Sequence, residues 1–543
     1  MPLLTTGQAI TESLIAHGVD TIFGIPGAHL YDFNDALARR RDKIRFITTR
    51  HEQGAGYMAY GYAKSTGRVG AYTVVPGPGV LNSAAALCTA YGAIAPVLCI
   101  TGNIMSHLIG RGRGQLHELP DQLALLRGLT KWSERINHPT DAPAVMAEAF
   151  RQLASGRIRP VAVEAPWDVF GMKAELTVGP PLAPLAPPTP DPDSILAAAK
   201  LIAAAKRPLI SVGAGALHAG EAILELAKLL QAPVTAHRSG KGIVSSESPY
   251  SMNSVAAYEY WKDADLLVGI GSRLELQHFR WRWFPPNVKT VRLDIDPTEM
   301  VRLKPDVGIV TDSAVGTRAL VNALQRLIGK RDSREAAFAE IKSRAEAAIQ
   351  IVQPQMSYIN AIRKALPRSG FYVEEVSQVG FTSRFGFPVY EPRHYVTCGY
   401  QDNVGFGFNT ALGVKVAHPD KAVVAVTGDG GFLFGSQELA TAVQFGINLA
   451  TVVFNNRSYG NVRRDQLEQY GARLIGADLT NPDFAKFAES FGAVGLRATN
   501  PADLEVKLQR ALEANAPAVI EVPVEPGAES SPWPFTLPAP HGA

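Results

Sequence analysis

The stretch TGDGGFLFGSQE, Thr427–Glu438, follows the β-branched run KAVVAV and leads into a segment that reads as helix. A Gly-rich turn from strand to helix is a place for phosphate, because free backbone N–H groups and the positive end of the helix dipole both face an anion there. Asp429, held between Gly428 and Gly430, repels phosphate unless a metal ion lies between them. The next apolar strand, LATVVF, ends on Asn455 and Asn456, with 24 residues separating Gly430 from Asn455. In a doubly wound sheet, two strands joined by one crossover helix lie side by side, so their carboxyl ends bring Asp429 and Asn456 together. One carboxylate, one amide oxygen and a nearby backbone carbonyl make an incomplete oxygen shell, of the kind Mg²⁺ completes with water and diphosphate oxygens.

Working outward, short apolar runs alternate with helical stretches along the whole chain, from DTIFGIPG and GAYTVVPGPG through RPLISVGAG to PAVIEVPV. That alternation predicts α/β architecture with doubly wound parallel sheets. Two composition breaks divide the 543 residues. The proline-rich stretch from Val178 to Ser194 reads as an extended, exposed linker. The charged helical stretch from Arg331 to Gln355 reads as a crossing between domains. Three α/β domains are therefore expected, at 1–180, 190–345 and 355–530, followed by a tail at 531–543 that either wanders or folds over another surface.

The bulk properties exclude several classes. With a net charge of +3 and scattered Lys and Arg, composition gives no electrostatic case for nucleic acid, and RGRG at Arg111–Gly114 reads as a loop. Three cysteines, Cys88, Cys99 and Cys398, show no metal-ligand spacing and point to a reducing compartment without disulfides. The N-terminal stretch from Met1 reads as an amphipathic helix without a signal pattern, and no apolar run approaches the ~18 residues of a membrane span. A cytoplasmic enzyme is the expectation.

G-D-G at Gly428–Gly430, then 24 residues, then N-N, resembles the thiamine diphosphate and Mg²⁺ signature of the acetolactate synthase, pyruvate decarboxylase and benzaldehyde lyase superfamily. The resemblance implies that Asp429, Asn456 and the carbonyl of Ser458 hold Mg²⁺, with Gly428, Gly430, Gly431 and Tyr459 around the diphosphate. RHEQGAGYMAYGYAK at Arg50–Lys64 resembles the segment in which such enzymes keep a glutamate, here Glu52, against the aminopyrimidine ring. A carboxylate on ring N1′ favours the imino tautomer, whose neighbouring nitrogen can take the proton from thiazolium C2. Pro26 in GIPGAHL, and Pro76 and Asn82 in PGPGVLN, fall beside the cofactor by the same resemblance. So do Ser377 and Gln378 in VSQV and Asp402 in QDNVG; Val404 stands where a bulkier Met or Leu props the cofactor into its bent shape. The middle domain resembles the family's central Rossmann-like domain, which holds FAD, ADP or neither. Each pair of sites is implied to lie between two subunits, as a homodimer at least and a homotetramer as the fuller assembly.

The reaction turns on a few positions. Ala28 replaces the Asp of pyruvate-type decarboxylases, and Val462 the glutamate, so that proton-relay pair is missing. His29 resembles the histidine of the benzaldehyde lyase GAH segment, and His117 resembles a decarboxylase histidine. In GQLHELPDQ, Gln115, His117 and Glu118 are all candidates for orienting or protonating the substrate. Asp465 stands where acetolactate synthases commonly carry a tryptophan. The sequence thus predicts a C–C lyase or carboligase acting on 2-oxo acids, 2-hydroxy ketones or aldehydes. A non-oxidative 2-oxo acid decarboxylase and a flavin-linked oxidase are the alternatives; a non-enzymatic relic is disfavoured by the presence of Glu52, Asp429 and Asn456.

Overall fold

The computed structural model describes residues 1–541. Its strands form three six-stranded sheets, one after another along the chain, and every pairing within them is parallel. The N-terminal sheet runs, in spatial order, Arg45–Thr48, Thr21–Gly24, Gly70–Val74, Val97–Asn103, Val161–Pro166 and Trp132–Arg135. The C-terminal sheet runs Tyr395–Val396, Phe371–Glu374, Val423–Gly428, Ala450–Asn455, Ala518–Pro523 and Val494–Arg497. Numbered within its own domain, each reads 2-1-3-4-6-5. The central sheet, between Pro208 and Val310, instead reads 3-2-1-4-5-6, the Rossmann order.

This topology positions the chemistry. Strand order reverses between the first and third strands of each outer sheet, and ligands of open α/β sheets bind outside the carboxyl ends of the strands at such a point. In the N-terminal domain the loops leaving that point are Ile25–Leu30 and Val75–Gly77; in the C-terminal domain they are Glu375–Ser377 and the turn at Gly428. The strand Val423–Gly428 is rich in β-branched residues and almost wholly buried, as a central parallel strand with both faces covered must be.

The two outer domains meet through helix Glu52–Thr66 and helix Gly407–Ala417. A Cβ at Gly61 would overlap the Thr410 backbone, and one at Gly413 the Met58 backbone, so two glycines let the helix backbones touch. Tyr57, Met58 and Tyr60 are fully buried there, each contributing roughly 1.5–3 kcal/mol of apolar burial. The Tyr60 hydroxyl also donates to the Thr397 carbonyl.

Residues 178–191 form no regular element and are largely exposed. Helix Glu335–Ile349 places Phe338 and Ala345 in the central core, while Ile349 and Val352 belong to the C-terminal one. The tail folds over other surfaces: Trp533 packs on Phe381 and Phe535 on Phe385, and His541 stacks on Tyr258 of the central domain. At the other end the expected continuous helix starts late. Leu3–Thr5 pair antiparallel with Lys173–Glu175, and the helix begins at Thr6 because Thr5 and Gln8 form a capping box.

Candidate active site

The N-terminal half of the site is built on two helix starts. Helix Glu52–Thr66 is capped by His51, whose Nδ1 accepts from the Gln53 amide, and Glu52 is its first residue. Helix Pro78–Gly92 follows the PGPG turn, whose Gly77 has φ +58°, a conformation that suits glycine. Asn82 on that helix donates through Nδ2 to Glu52 Oε2 at 3.0 Å.

Beside them lies a histidine pair. His29 is buried, its ring centroid 5.2 Å from that of His117 and 4.7 Å from Trp167. Both histidines have positive φ, 70° and 64°, a strained state for a side-chain-bearing residue that costs on the order of 1–3 kcal/mol. The Nδ1 atoms of both are buried without a hydrogen-bond partner. Burial holds the His29 imidazole below its ordinary pKa, and His117 lowers it further against a raising contribution from the Ala28 backbone. The pair is held from behind by residues that sequence reading missed. Buried Gln122 accepts from the Gly77 amide at 2.8 Å and donates to the Gly102 carbonyl and Glu164, both at 2.8 Å. Glu164, wholly buried, also binds Asn103 and Arg135. Their only signal in the sequence is polar character inside otherwise apolar surroundings, as in VAVEAP.

Gln115 does not join this cluster. It is exposed, and its backbone N–H donates to Glu118 Oε2 at 2.8 Å, while Glu118 Oε1 accepts from Arg113. Glu118 is thus occupied in closing a turn. Pro26 is exposed, whereas Pro76 is buried.

In the C-terminal half, Asp429 opens helix Asp429–Leu433 and is almost fully buried. Burial raises its carboxyl pKa, against a hydrogen bond from the Gly430 backbone and one from Asn481. Asn481 donates to Asp429 Oδ2 at 2.6 Å and to Asn455 Oδ1 at 3.0 Å. Gly428 pairs with Phe454 in the neighbouring strand, which sets Asn455 and Asn456 beside the turn. Asn456 Oδ1 accepts from the N–H and the hydroxyl of Ser458, each at 3.1 Å, and its Nδ2 donates to Glu529 at 2.7 Å. A Cβ on Gly430 would lie 2.6 Å from the Tyr459 ring, and one on Gly428 would meet Ser377 at 3.4 Å. Ser377 caps helix Gln378–Gly386 by accepting from the Gly380 N–H. Among the described residues no group of three His, Cys, Asp or Glu side chains converges as a closed metal cage. The hard oxygens of Asp429 and Asn456, with two helix N-termini facing one turn, suit a divalent cation carrying a phosphate group.

Two expected cofactor contacts have other surroundings. The Asp402 carboxylate takes both Nη atoms of Arg238, at 2.9 and 2.8 Å, together with Arg384 at 2.6 Å and Arg280 at 3.3 Å. Its side chain is spent on an ion-pair cluster between the central and C-terminal domains, which leaves only its backbone free for a cofactor. Val404 is half-buried in a loop pinned by a carboxylate the sequence reading did not single out: Glu375 Oε1 accepts from Gly405 N and Oε2 from Gly407 N, at 3.1 and 2.6 Å. Asp465 lies on helix Gly460–Gln469, where Asn461 and Gln469 donate to it at 3.3 Å.

A separate cavity of about 820 Å³ lies against the central sheet, bordered by Gly213, Gly215, Arg157, Arg238, Asp294 and Asp312. A Cβ on Gly213 would lie 2.5 Å from the Gly271 carbonyl oxygen, and one on Gly215 would press on Gly271 at 3.0 Å.

Three parallel-sheet domains, with a glutamate bonded to the helix that leaves one outer switch point and an Asp–Asn pair at a Gly-rich turn at the other, suit a diphosphate-cofactor enzyme whose site is divided between two domains. The chain belongs to the thiamine pyrophosphate enzyme family. Family models for the N-terminal TPP binding domain, the central domain and the C-terminal TPP binding domain match residues 4–125, 195–324 and 375–522. Among curated proteins it is 33% identical over 521 residues to a probable 2-ketoarginine decarboxylase of Pseudomonas aeruginosa, covering 94% of this chain and 92% of that one. It is 32% identical over 541 residues to the acetolactate synthase large subunit of Haemophilus influenzae, with the same coverage. A probable acetolactate synthase large subunit of Methanocaldococcus jannaschii is 33% identical over 547 residues, covering 96% and 92%. Among the described residues no helix is long and apolar enough to cross a membrane.

Proposed function

We propose that this chain is a thiamine diphosphate- and Mg²⁺-dependent C–C lyase or carboligase acting on 2-oxo acids or 2-hydroxy ketones. The observation that carries the reading is the hydrogen bond that ties Glu52 to Asn82, on the helix leaving one switch point, matched by the Asp429–Asn456 turn at the other. Bound there, the cofactor supplies an electron sink for decarboxylation or C–C cleavage. Asp429, Asn456 and the Ser458 carbonyl hold the cation, while the turn at Gly428–Gly431, Ser377, Gln378 and Tyr459 receive the diphosphate. Glu52 holds the proton on the aminopyrimidine ring, and Asn82 orients Glu52. His29 and His117 orient substrate or move its proton, in a pocket that Trp167 keeps apolar on one side.

Glu52 and Asp429 each bond within their own domain, and no hydrogen bond or ion pair joins them among the described residues. We therefore propose a homodimer at least, with the glutamate of one copy facing the cation of the other; a tetramer would pair two such dimers. Leu81, Leu116, Phe434 and Val462, all about half exposed, flank the two half-sites and suit burial against a second copy. Light scattering tests this, and a monomer that turns over would overturn it.

The histidine pair and the likeness to a 2-ketoarginine decarboxylase favour a second reading, non-oxidative 2-oxo acid decarboxylation. Mass spectrometry of products from pyruvate, longer 2-oxo acids including 2-ketoarginine, and benzoylformate, each with and without an added aldehyde, separates the two. A hydroxyketone or acetohydroxy acid supports ligation, and aldehyde release alone supports decarboxylation. The central cavity, Gly-lined and flanked by Arg157 and Arg238, suits an adenine nucleotide, FAD or ADP. Absorbance near 450 nm in the purified protein would mark flavin and bring the oxidase reading forward.

A further inference from the structure

After its last strand, Ala518–Pro523, the chain turns back across the cation site. The Glu529 carbonyl accepts from Arg464 Nη2 at 2.9 Å, and Arg464 uses Nη1 on the side-chain oxygen of Gln378 at 3.0 Å. Ser530 donates its N–H to the Gln353 carbonyl at 2.8 Å, and its own carbonyl accepts from Gln355 at 2.6 Å. Trp533 then donates Nε1 to Asn461 Oδ1 at 2.6 Å. This route aims the Glu529 side chain inward, where Oε2 accepts from Asn456 Nδ2 at 2.7 Å.

That bond holds the NH₂ end of the Asn456 amide, as Ser458 holds its oxygen. Only the NH₂ end of a carboxamide can donate to a carboxylate, so Oδ1 is held on the opposite side, where Ser458 already reaches it. A flipped amide would present hydrogens to a cation in place of a lone pair. Side chains that orient a metal ligand typically change metal affinity about 10–100-fold.

We propose that Glu529 is a positioning residue of the cation site: it holds the Asn456 amide with its oxygen toward the metal and ties docking of residues 525–541 to metal binding. This rests on the reading of Asp429 and Asn456 as cation ligands. Coupling of this kind is reciprocal, so the metal must also favour the docked tail.

The test uses the full chain, titrated with Mg²⁺ at saturating thiamine diphosphate and followed by tryptophan fluorescence, with chymotrypsin cleavage after Phe535 as a second readout. Glu529→Ala should raise the apparent Kd for Mg²⁺ at least about tenfold. Glu529→Gln, whose side-chain oxygen still accepts from Asn456, should recover part of that loss. Mg²⁺ with cofactor should slow tail cleavage in the native protein and fail to slow it in Glu529→Ala. Asp429→Ala serves as the control. If it abolishes Mg²⁺ binding while both Glu529 variants bind within about twofold of native and keep their tail protection, the role of Glu529 is overturned and the metal reading stands. Unchanged Mg²⁺ binding in Asp429→Ala would remove the metal reading itself.

Discussion

Asn82 reaches from helix Pro78–Gly92 to the carboxylate of Glu52, 3.0 Å away at the start of helix Glu52–Thr66. A neutral amide donor leaves the carboxylate's second oxygen free to meet a ring nitrogen while limiting its rotation. Glu52→Gln should therefore bind cofactor within about threefold of native yet slow exchange of the C2 proton by about 10²–10⁴. Hydrogen–deuterium exchange of bound cofactor measures this directly, and an unchanged exchange rate would take Glu52 out of its role. Asn82→Ala should give a smaller loss of the same kind, since it frees the carboxylate without removing it.

The His29–His117 pair makes a pH prediction. Burial lowers the His29 pKa beneath 6.5, so the folded protein keeps this imidazole neutral at pH where the unfolded chain has begun to bind a proton. Stability linked to His29 is therefore present above pH 6.5 and lost as pH falls from there toward the folded value. His29→Asn tolerates positive φ and should flatten that acid loss in thermal midpoint while lowering turnover about 10–100-fold. Native turnover in this variant, or an unchanged acid slope, would contradict the assignment.

How much of this was legible beforehand depends on whether the chemistry sits on contiguous residues. Asp429 and Asn456 end adjacent strands, and a sequence that alternates strand and helix already dictates that neighbouring strands end together. Gln122, Glu164 and Glu375 were not legible, because each acts through partners 29 or more residues away: Gln122 on Gly77, Glu164 on Arg135 and Glu375 on Gly407. A lone acid in an apolar strand signals burial but does not name its partner. Asp402 shows a second thing that was not legible, the surroundings of its side chain. Three arginines from two domains converge on its carboxylate, and nothing local in QDNVG announces them.

Those arginines make Asp402 a stability determinant. Its pKa falls to about 2, since Arg384 and Arg238 outweigh the raising effect of burial. Asp402→Ala would leave Arg238 and Arg384, both nearly inaccessible to water, facing one another with less counter-charge. A loss of about 3–5 kcal/mol in unfolding free energy is expected, as for breaking a buried pair. Because the loop continues to Val404, cofactor affinity should weaken in the same variant. Chemical denaturation measures the first effect, and a change under about 1 kcal/mol would show that the cluster is dispensable.

Glu375 gives the opposite pH signature from His29. Burial pushes its carboxyl up from 4.5 to about 7, with Glu374 adding to the rise, although the N–H groups of Gly407, Val376 and Gly405 favour the charged form. The folded protein therefore holds this proton where the unfolded chain has released it. Stability from this source is complete below pH 4.5 and is lost as pH rises toward 7, by on the order of 3 kcal/mol for a shift of that size. Glu375→Gln cannot titrate, and its NH₂ must face one of the backbone donors, so it should be less stable than native at pH 5. Above pH 7 the native protein has lost its advantage, and the gap between the two should narrow by about that amount. Unfolding free energies at pH 5, 6, 7 and 8 test this: two curves that run parallel would mean that Glu375 is ionised throughout, and that the N–H bonds from Gly405 and Gly407 in the loop around Val404, with that from Val376, outweigh its burial.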